Sequence, residues 1–239
     1  MSGHSHFKTI QATKNANDAK KGKIFSKFGR LITIAAKEGG GDMGSNIKLK
    51  AVVEQARGFN MPKENIERAI KKGTGELAGE ILEEFSIEGF GPGGIALIIE
   101  GITDNKNRSL GEIKIILNQK GGKMAGEGAV RWMFERKGSL TITSGQKSKE
   151  ELEMIAIEAG ADDIRQEGGT IAVYTKPEDL ETVKKALEER GLAIENVSLG
   201  WMPKEEVIVG EKEKTNAKEL FEALDENDAV QDIYSNLKS

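Results

Sequence analysis

Apolar residues in the first third of the chain recur at helical spacing. Ile24, Phe28, Leu31 and Ala35 stand at i, i+4, i+7 and i+11, one stripe of an α-helix. Lys20, Lys23, Lys27 and Arg30 follow i, i+3, i+7 and i+10 and form a second stripe. At about 100° per residue this cationic stripe lies beside the apolar one, so the helix has a core face and a charged face. The run Gly39-Gly40-Gly41 predicts its end, because consecutive glycines cap helices and do not continue them. A second helix is predicted over 46–58, with Ile47, Leu49, Val52, Val53 and Ala56 apolar. Pro62 suits the first position of a third, whose Ile66, Ala69 and Ile70 face inward before Gly73 and Gly75 close it. Three short helices sharing one small core predict a separate domain over 1–75.

Beyond Gly75 the pattern changes to strands alternating with helices. Strands are predicted over 81–87 and 95–102, joined by a glycine-rich turn at 89–94, then over 129–134, 139–143, 171–174, 193–199 and 230–234. Helices are predicted over 110–118, 149–159, 177–189 and 217–224. Segment 139–200 thus reads strand, helix, strand, helix, strand, an α/β unit of ferredoxin-like type. The flanking segments 76–138 and 201–239 are predicted to form one domain that this unit interrupts, since the closing strand needs the sheet that the 81–102 hairpin begins. The predicted fold class is α+β: an N-terminal three-helix domain plus two α/β domains, the third inserted in the second.

Composition removes several classes of chemistry. The 239 residues include no cysteine, so disulfides, thiolate nucleophiles and cysteine-based zinc sites are excluded. The only histidines are His4 and His6, which excludes a histidine-based triad or zinc hydrolase site elsewhere. No apolar run approaches the length of a membrane span, and Met1 to Phe7 has no signal-type apolar region, so the expected location is the cytoplasm. Sustained heptads are absent, and a monomer is expected.

Charge changes the picture most. The net charge of −4 is the sum of two unlike parts. Residues 1–75 hold 15 Lys+Arg against 6 Asp+Glu, and the remainder holds 20 against 33. A basic helical domain joined to an acidic remainder predicts a polyanion partner for the basic part. The candidate nucleic-acid-binding residues are Lys8, Lys14, Lys20, Lys21, Lys23, Lys27 and Arg30, opposed within the first thirty residues only by Asp18. Phosphate contacts require cations on a defined face and no set of base readers. The acidic surfaces of the α/β part would repel nucleic acid and confine contact to the basic domain.

Other motifs carry less. The stretch Gly89-Phe90-Gly91-Pro92-Gly93-Gly94 lies between two strands and lacks the Gly-Lys-Ser/Thr ending of a phosphate loop, so it reads as a tight turn. A second glycine-rich stretch, Gly121 to Gly128, reads as a mobile surface loop between domains. Carboxylates such as Glu150, Glu151 and Glu153 interleave with apolar positions of one helix and read as a solvated face. No catalytic residue, metal or cofactor is predicted.

Several blocks together resemble a known family. They are Met1-Ser2-Gly3-His4-Ser5, the run Asp18 to Lys27, Glu38-Gly39-Gly40-Gly41-Asp42, the block Asn60 to Gly75, Gly89 to Gly94, Thr103 to Arg108, and Trp132-Met133-Phe134-Glu135. Over essentially the whole chain this resembles the YebC/PmpR family, whose relatives include the mitochondrial translational activator of cytochrome oxidase subunit one. The resemblance implies three domains, no enzymatic activity, and a DNA-binding transcriptional regulator in the cytoplasm. The alternative it implies is a translation factor that binds ribosomal RNA at the ribosome and relieves stalling. Relatives often have Lys-Trp where this chain has His6-Phe7. The expected contact therefore rests more on the helix from Lys20 to Arg30 than on the terminus.

Overall fold

The computed structural model describes residues 18–143, 147–167 and 170–238. Helices α1 (Asp18–Gly39), α2 (Ile47–Gly58) and α3 (Lys63–Thr74) form the N-terminal domain. Their core contains Ile24, Phe28, Ile32 and Ala35 of α1, Leu49, Val53 and Ala56 of α2, and Ile66 and Ala69 of α3. Ile32 takes the fully buried position beside Phe28, while Leu31 is only partly buried, at the border with the next domain. Ile47, at the first position of α2, is exposed.

Asn46 locks the α1–α2 corner. Its side-chain oxygen accepts from the Leu49 N–H at 3.0 Å and caps α2. Its Nδ2 donates to the carbonyls of Ala35 and Gly40, both at 2.8 Å, which satisfies orphan acceptors at the end of α1. The α1–α3 crossing depends on Gly73. A Cβ there would stand 2.4 Å from the Thr33 carbonyl oxygen and 2.7 Å from the Ala36 Cβ.

The second domain begins with an antiparallel hairpin of β1 (Glu83–Phe90) and β2 (Ala96–Thr103). Its turn passes through Pro92–Gly94, with Gly93 and Gly94 at φ of 71° and 78°, values that glycine adopts without strain. Helix α4 (Lys106–Gln119) follows, then the short β3 (Lys123–Met124). The closing elements are α7 (Glu211–Asp225) and β8 (Val230–Ser235). The sheet order is β3-β1-β2-β8, so the central β2 is paired on both edges. Leu97 and Ile99 of β2 pack with Ile113 and Leu117 of α4 and with Leu220 and Leu224 of α7. Ala96 and Ile98, on the opposite face, meet Val130, Phe134 and Tyr234.

The remaining strands and helices form a second sheet with its own core. β4 (Phe134–Ile142), α5 (Lys149–Glu158), β5 (Asp163–Glu167), β6 (Thr170–Thr175), α6 (Leu180–Glu189) and β7 (Ile194–Pro203) give an antiparallel sheet of order β5-β6-β4-β7. That is the strand order of a ferredoxin-like unit. Leu140, Ile142 and Val173 of the sheet meet Leu152 and Ala156 of α5 and Val183 and Leu187 of α6.

Three expectations are corrected here. Strand β5 was not predicted, because Asp163-Ile164-Arg165-Gln166-Glu167 has one apolar residue in five. The strand expected over 129–134 is instead a loop ending in the short 3₁₀ turn Arg131–Met133. The N–H groups of Val130 and Arg131 go to the Glu88 side chain, not to a neighbouring strand. The segment Phe134–Ile142 is one continuous strand, since the polar Glu135-Arg136-Lys137 pairs with Met202, Trp201 and Gly200 of β7.

Candidate nucleic-acid interface

Of the seven candidate cations, Lys8 and Lys14 lie outside the described residues, and so does the side chain of Lys20, which sits on the first turn of α1. Lys21 is exposed. Lys23, Lys27 and Arg30 are brought together, but against the second domain. Lys23 Nζ pairs with Glu226. Lys27 Nζ lies 2.6 Å from Asp225 Oδ1, with only 4% of the lysine side chain and 17% of the aspartate side chain exposed. Arg30 Nη1 donates to the Ile102 carbonyl of β2 at 2.8 Å. Lys37, a further turn along, donates to the Leu82 carbonyl at 3.1 Å. Between these cations Ile34 packs with Leu82 and Ile102.

The cationic stripe thus continues from Lys23 to Lys37 and forms the seam between the first two domains. The partners of Lys23 and Lys27 stand at the C-terminal end of α7, where the helix dipole and two carboxylates add to a negative potential. Lys23, Lys27 and Arg30, expected as phosphate contacts, thus stand at this seam with partners from the second domain. A second contact joins the helical domain to the inserted one: Gln55 Nε2 of α2 donates to Asn196 Oδ1 and to the Val197 carbonyl of β7, both at 3.1 Å.

Exposed cations remain elsewhere on the helical domain. Lys50 and Arg57 project from α2, and Arg68, Lys71 and Lys72 from the second half of α3. Arg68, Lys71 and Lys72 stand at i, i+3 and i+4, the spacing of one helical face. Sequence reasoning fixed on the first thirty residues and passed over these five. The signal was present in the same periodic spacing of basic residues over 46–75. Glu64 and Glu67 also lie on α3, and Lys63 pairs with Glu67, so the positive potential concentrates toward the C-terminal half. The shallow groove lined by Gly41, Asp42, Glu67, Ile70, Lys71, Thr74 and Glu76 mixes one cation with three carboxylates and offers an anion no continuous cradle.

Glu88 on β1 is buried, yet its carboxylate accepts from the N–H groups of Gly128, Val130 and Arg131 at 2.8, 2.8 and 2.9 Å. Burial alone would push this carboxyl up. The three backbone donors and the charge of Arg131 outweigh it and hold Glu88 below the ordinary glutamate range. A carboxylate so saturated is a structural anchor. It ties down the glycine-rich stretch expected to be mobile, whose β3 also pairs with Gly89 and Phe90 of β1. Among the described residues no group of three or more His, Asp or Glu side chains is placed to hold a metal ion, and no helix is long and apolar enough to cross a membrane.

Comparison with known proteins places this architecture. Residues 5–76 match the TACO1/YebC protein N-terminal domain, and residues 82–237 match the TACO1/YebC second and third domain. A relative in Thermotoga maritima, named "Probable transcriptional regulatory protein", is 48% identical over 239 residues, covering 100% of this chain and 94% of its own. A protein of the same description in Desulforapulum autotrophicum is 44% identical over 236 residues, covering 99% and 96%. The crystal structure of a conserved hypothetical protein from Aquifex aeolicus superposes with a TM-score of 0.85 at 41% identity, covering 92% of this chain and 91% of that one. By its sequence, its domain matches and its fold, the chain belongs to the TACO1/YebC family.

Proposed function

We propose that this protein is a DNA-binding transcriptional regulator without catalytic activity, acting in the cytoplasm and gripping phosphates through its N-terminal helical domain. The observation that carries the reading is the charge division: +9 on residues 1–75 against −13 on the rest, with exposed cations on α2 and α3. The names of the relatives point the same way. The contact set comprises Lys8, Lys14, Lys20 and Lys21 at the start of the chain together with Lys50, Arg57, Arg68, Lys71 and Lys72. Lys23, Lys27 and Arg30 belong to it only when α1 separates from the second domain, because a phosphate must displace Glu226, Asp225 and the Ile102 carbonyl, respectively, to reach them.

The test is duplex binding followed by fluorescence polarisation as salt is raised. With six or more phosphate contacts, affinity falls by about a thousandfold between 50 and 200 mM salt. Reversing Lys50, Arg57, Arg68 and Lys72 to Glu together weakens binding strongly; unchanged affinity in that variant would overturn the assignment to α2 and α3. Co-sedimentation with ribosomes, combined with no retention of promoter DNA, would move the target to ribosomal RNA. Phosphate attraction alone does not separate the two.

A further inference from the structure

The loop between β3 and β4 exposes a large indole that the fold holds still. Trp132 is 66% exposed, in contrast to the buried aromatic residues of the nearby core. Its Nε1–H donates to the Ala129 carbonyl at 3.1 Å, which fixes the ring relative to its own turn. That turn is in turn pinned by the buried Glu88 carboxylate through the N–H groups of Gly128, Val130 and Arg131. An exposed tryptophan with its backbone and indole N–H both anchored loses little conformational freedom on binding.

The guanidinium groups of this segment cover the second indole. The Arg131 guanidinium lies 5.5 Å from the Trp201 ring centroid, and Arg136 lies 5.0 Å from the same ring. Each is steadied by a carboxylate: Arg131 Nε is 3.5 Å from Glu88 and Arg136 Nη1 is 3.1 Å from Glu100. Even so, their side chains keep 39% and 42% of their surface exposed. Lys123 lies over Phe90, which packs in the same apolar cluster as Ala129, Met133 and Trp201.

We infer that Trp132, with the part-exposed Arg131 next to it in the chain, is a stacking plate for an unpaired nucleobase, a second nucleic-acid contact lying outside the basic helical domain. The inference rests on the proposed nucleic-acid function and adds a single-stranded component to it. A flat, rigid indole stacks on any base, and the part-exposed guanidinium of Arg131, one residue away in the chain, carries the charge an adjoining phosphate needs. A proline-rich peptide fits less well. Its grooves need neighbouring aromatic ridges, and here the second indole, Trp201, is covered by the two guanidinium groups and donates its Nε1–H to Glu100 at 2.8 Å. Duplex is excluded from this plate, because its bases are already stacked on each other. The acidic surface of the domain limits the contact to a short unpaired segment.

Trp132 and Trp201 are the chain's only tryptophans, and the exposed one reports directly on the site. The full-length protein is titrated with oligo(dT) and oligo(rU) of equal length, following tryptophan emission and, separately, polarisation of a labelled strand. Quenching of emission by both strands is expected; quenching by one alone identifies the sugar preferred. Trp132→Ala removes the quenching and weakens binding about fivefold or more, while Trp132→Phe, which keeps a ring to stack on, recovers most of the affinity. Strand binding with unchanged emission and unchanged affinity in Trp132→Ala overturns this inference and leaves the helical-domain reading intact. Absence of strand binding by polarisation while duplex is still bound overturns this inference alone, and absence of both strand and duplex binding overturns both. Quenching by a proline-rich peptide and not by either strand assigns the plate to a protein partner and overturns the nucleobase.

Discussion

Glu88 shows how much one side chain can organise. A carboxylate that answers three backbone N–H groups stabilises the fold only while ionised. Its pKa is depressed in the folded protein, so its contribution is complete above the unfolded value and is lost as pH falls through the lower, folded one. Glu88→Gln is expected to cost about 1–3 kcal/mol at neutral pH, since an amide cannot accept from three donors as the anion does. Thermal melting followed by circular dichroism should show this loss at pH 7 and a smaller gap between variant and parent near pH 3. A gap that does not narrow on acidification would remove the carboxylate charge from the explanation. Gly73 makes the opposite kind of demand, for the absence of atoms. Gly73→Ala forces α1 and α3 apart, because the obstacle is the Thr33 backbone carbonyl and not a movable side chain. The expected cost is about 1–3 kcal/mol in the same melting experiment. Neither role was legible in the sequence. Gly73 read as the end of a helix, and Glu88 as one more residue beside a glycine-rich turn.

At the scale of elements, the helices of the first domain were legible nearly to the residue, since Ile24, Phe28 and Ala35 do face its core. The partner of the neighbouring cationic stripe was not legible. Lys23 and Glu226 are 203 residues apart in sequence, and only the packing of α7 beside α1 brings them together. Strand β5 escaped for a related reason: its polar composition suits an edge, where one face and one backbone row meet solvent. The α1–α7 seam has measurable consequences. Asp225→Asn removes the countercharge 2.6 Å from a lysine that is almost fully buried, and a loss on the order of 3 kcal/mol is expected in urea unfolding. Replacing Asp225 and Glu226 together by Asn and Gln also leaves Lys23 and Lys27 without those two competitors. The affinity of this variant for duplex at low salt should rise severalfold over the parent, and equal affinity would show that the seam cations never reach phosphate.

The whole molecule is a closed arrangement of three bodies. The first touches the second along α1, the first touches the third through Gln55, and the second runs into the third through β4 and β7. Opening the α1 seam alone leaves two joints in place, so the helical domain swings on the remaining contact and does not drift away. Small-angle scattering of the Asp225→Asn/Glu226→Gln variant should therefore show a modest increase in radius of gyration, and adding Gln55→Ala should enlarge it further. An unchanged radius in the triple variant would mean that apolar packing around Ile34, Leu82 and Ile102 suffices to hold the bodies together. The paired strands β4 and β7 carry one more implication. The chain leaves the second domain at Met133 and returns at Lys204, whose N–H donates to the Met133 carbonyl at 2.9 Å. Departure and return share a single doorway, so the seventy intervening residues enter and leave the host side by side. A lobe attached in that way can be gained, lost or exchanged in evolution with little rethreading of the sheet that carries it.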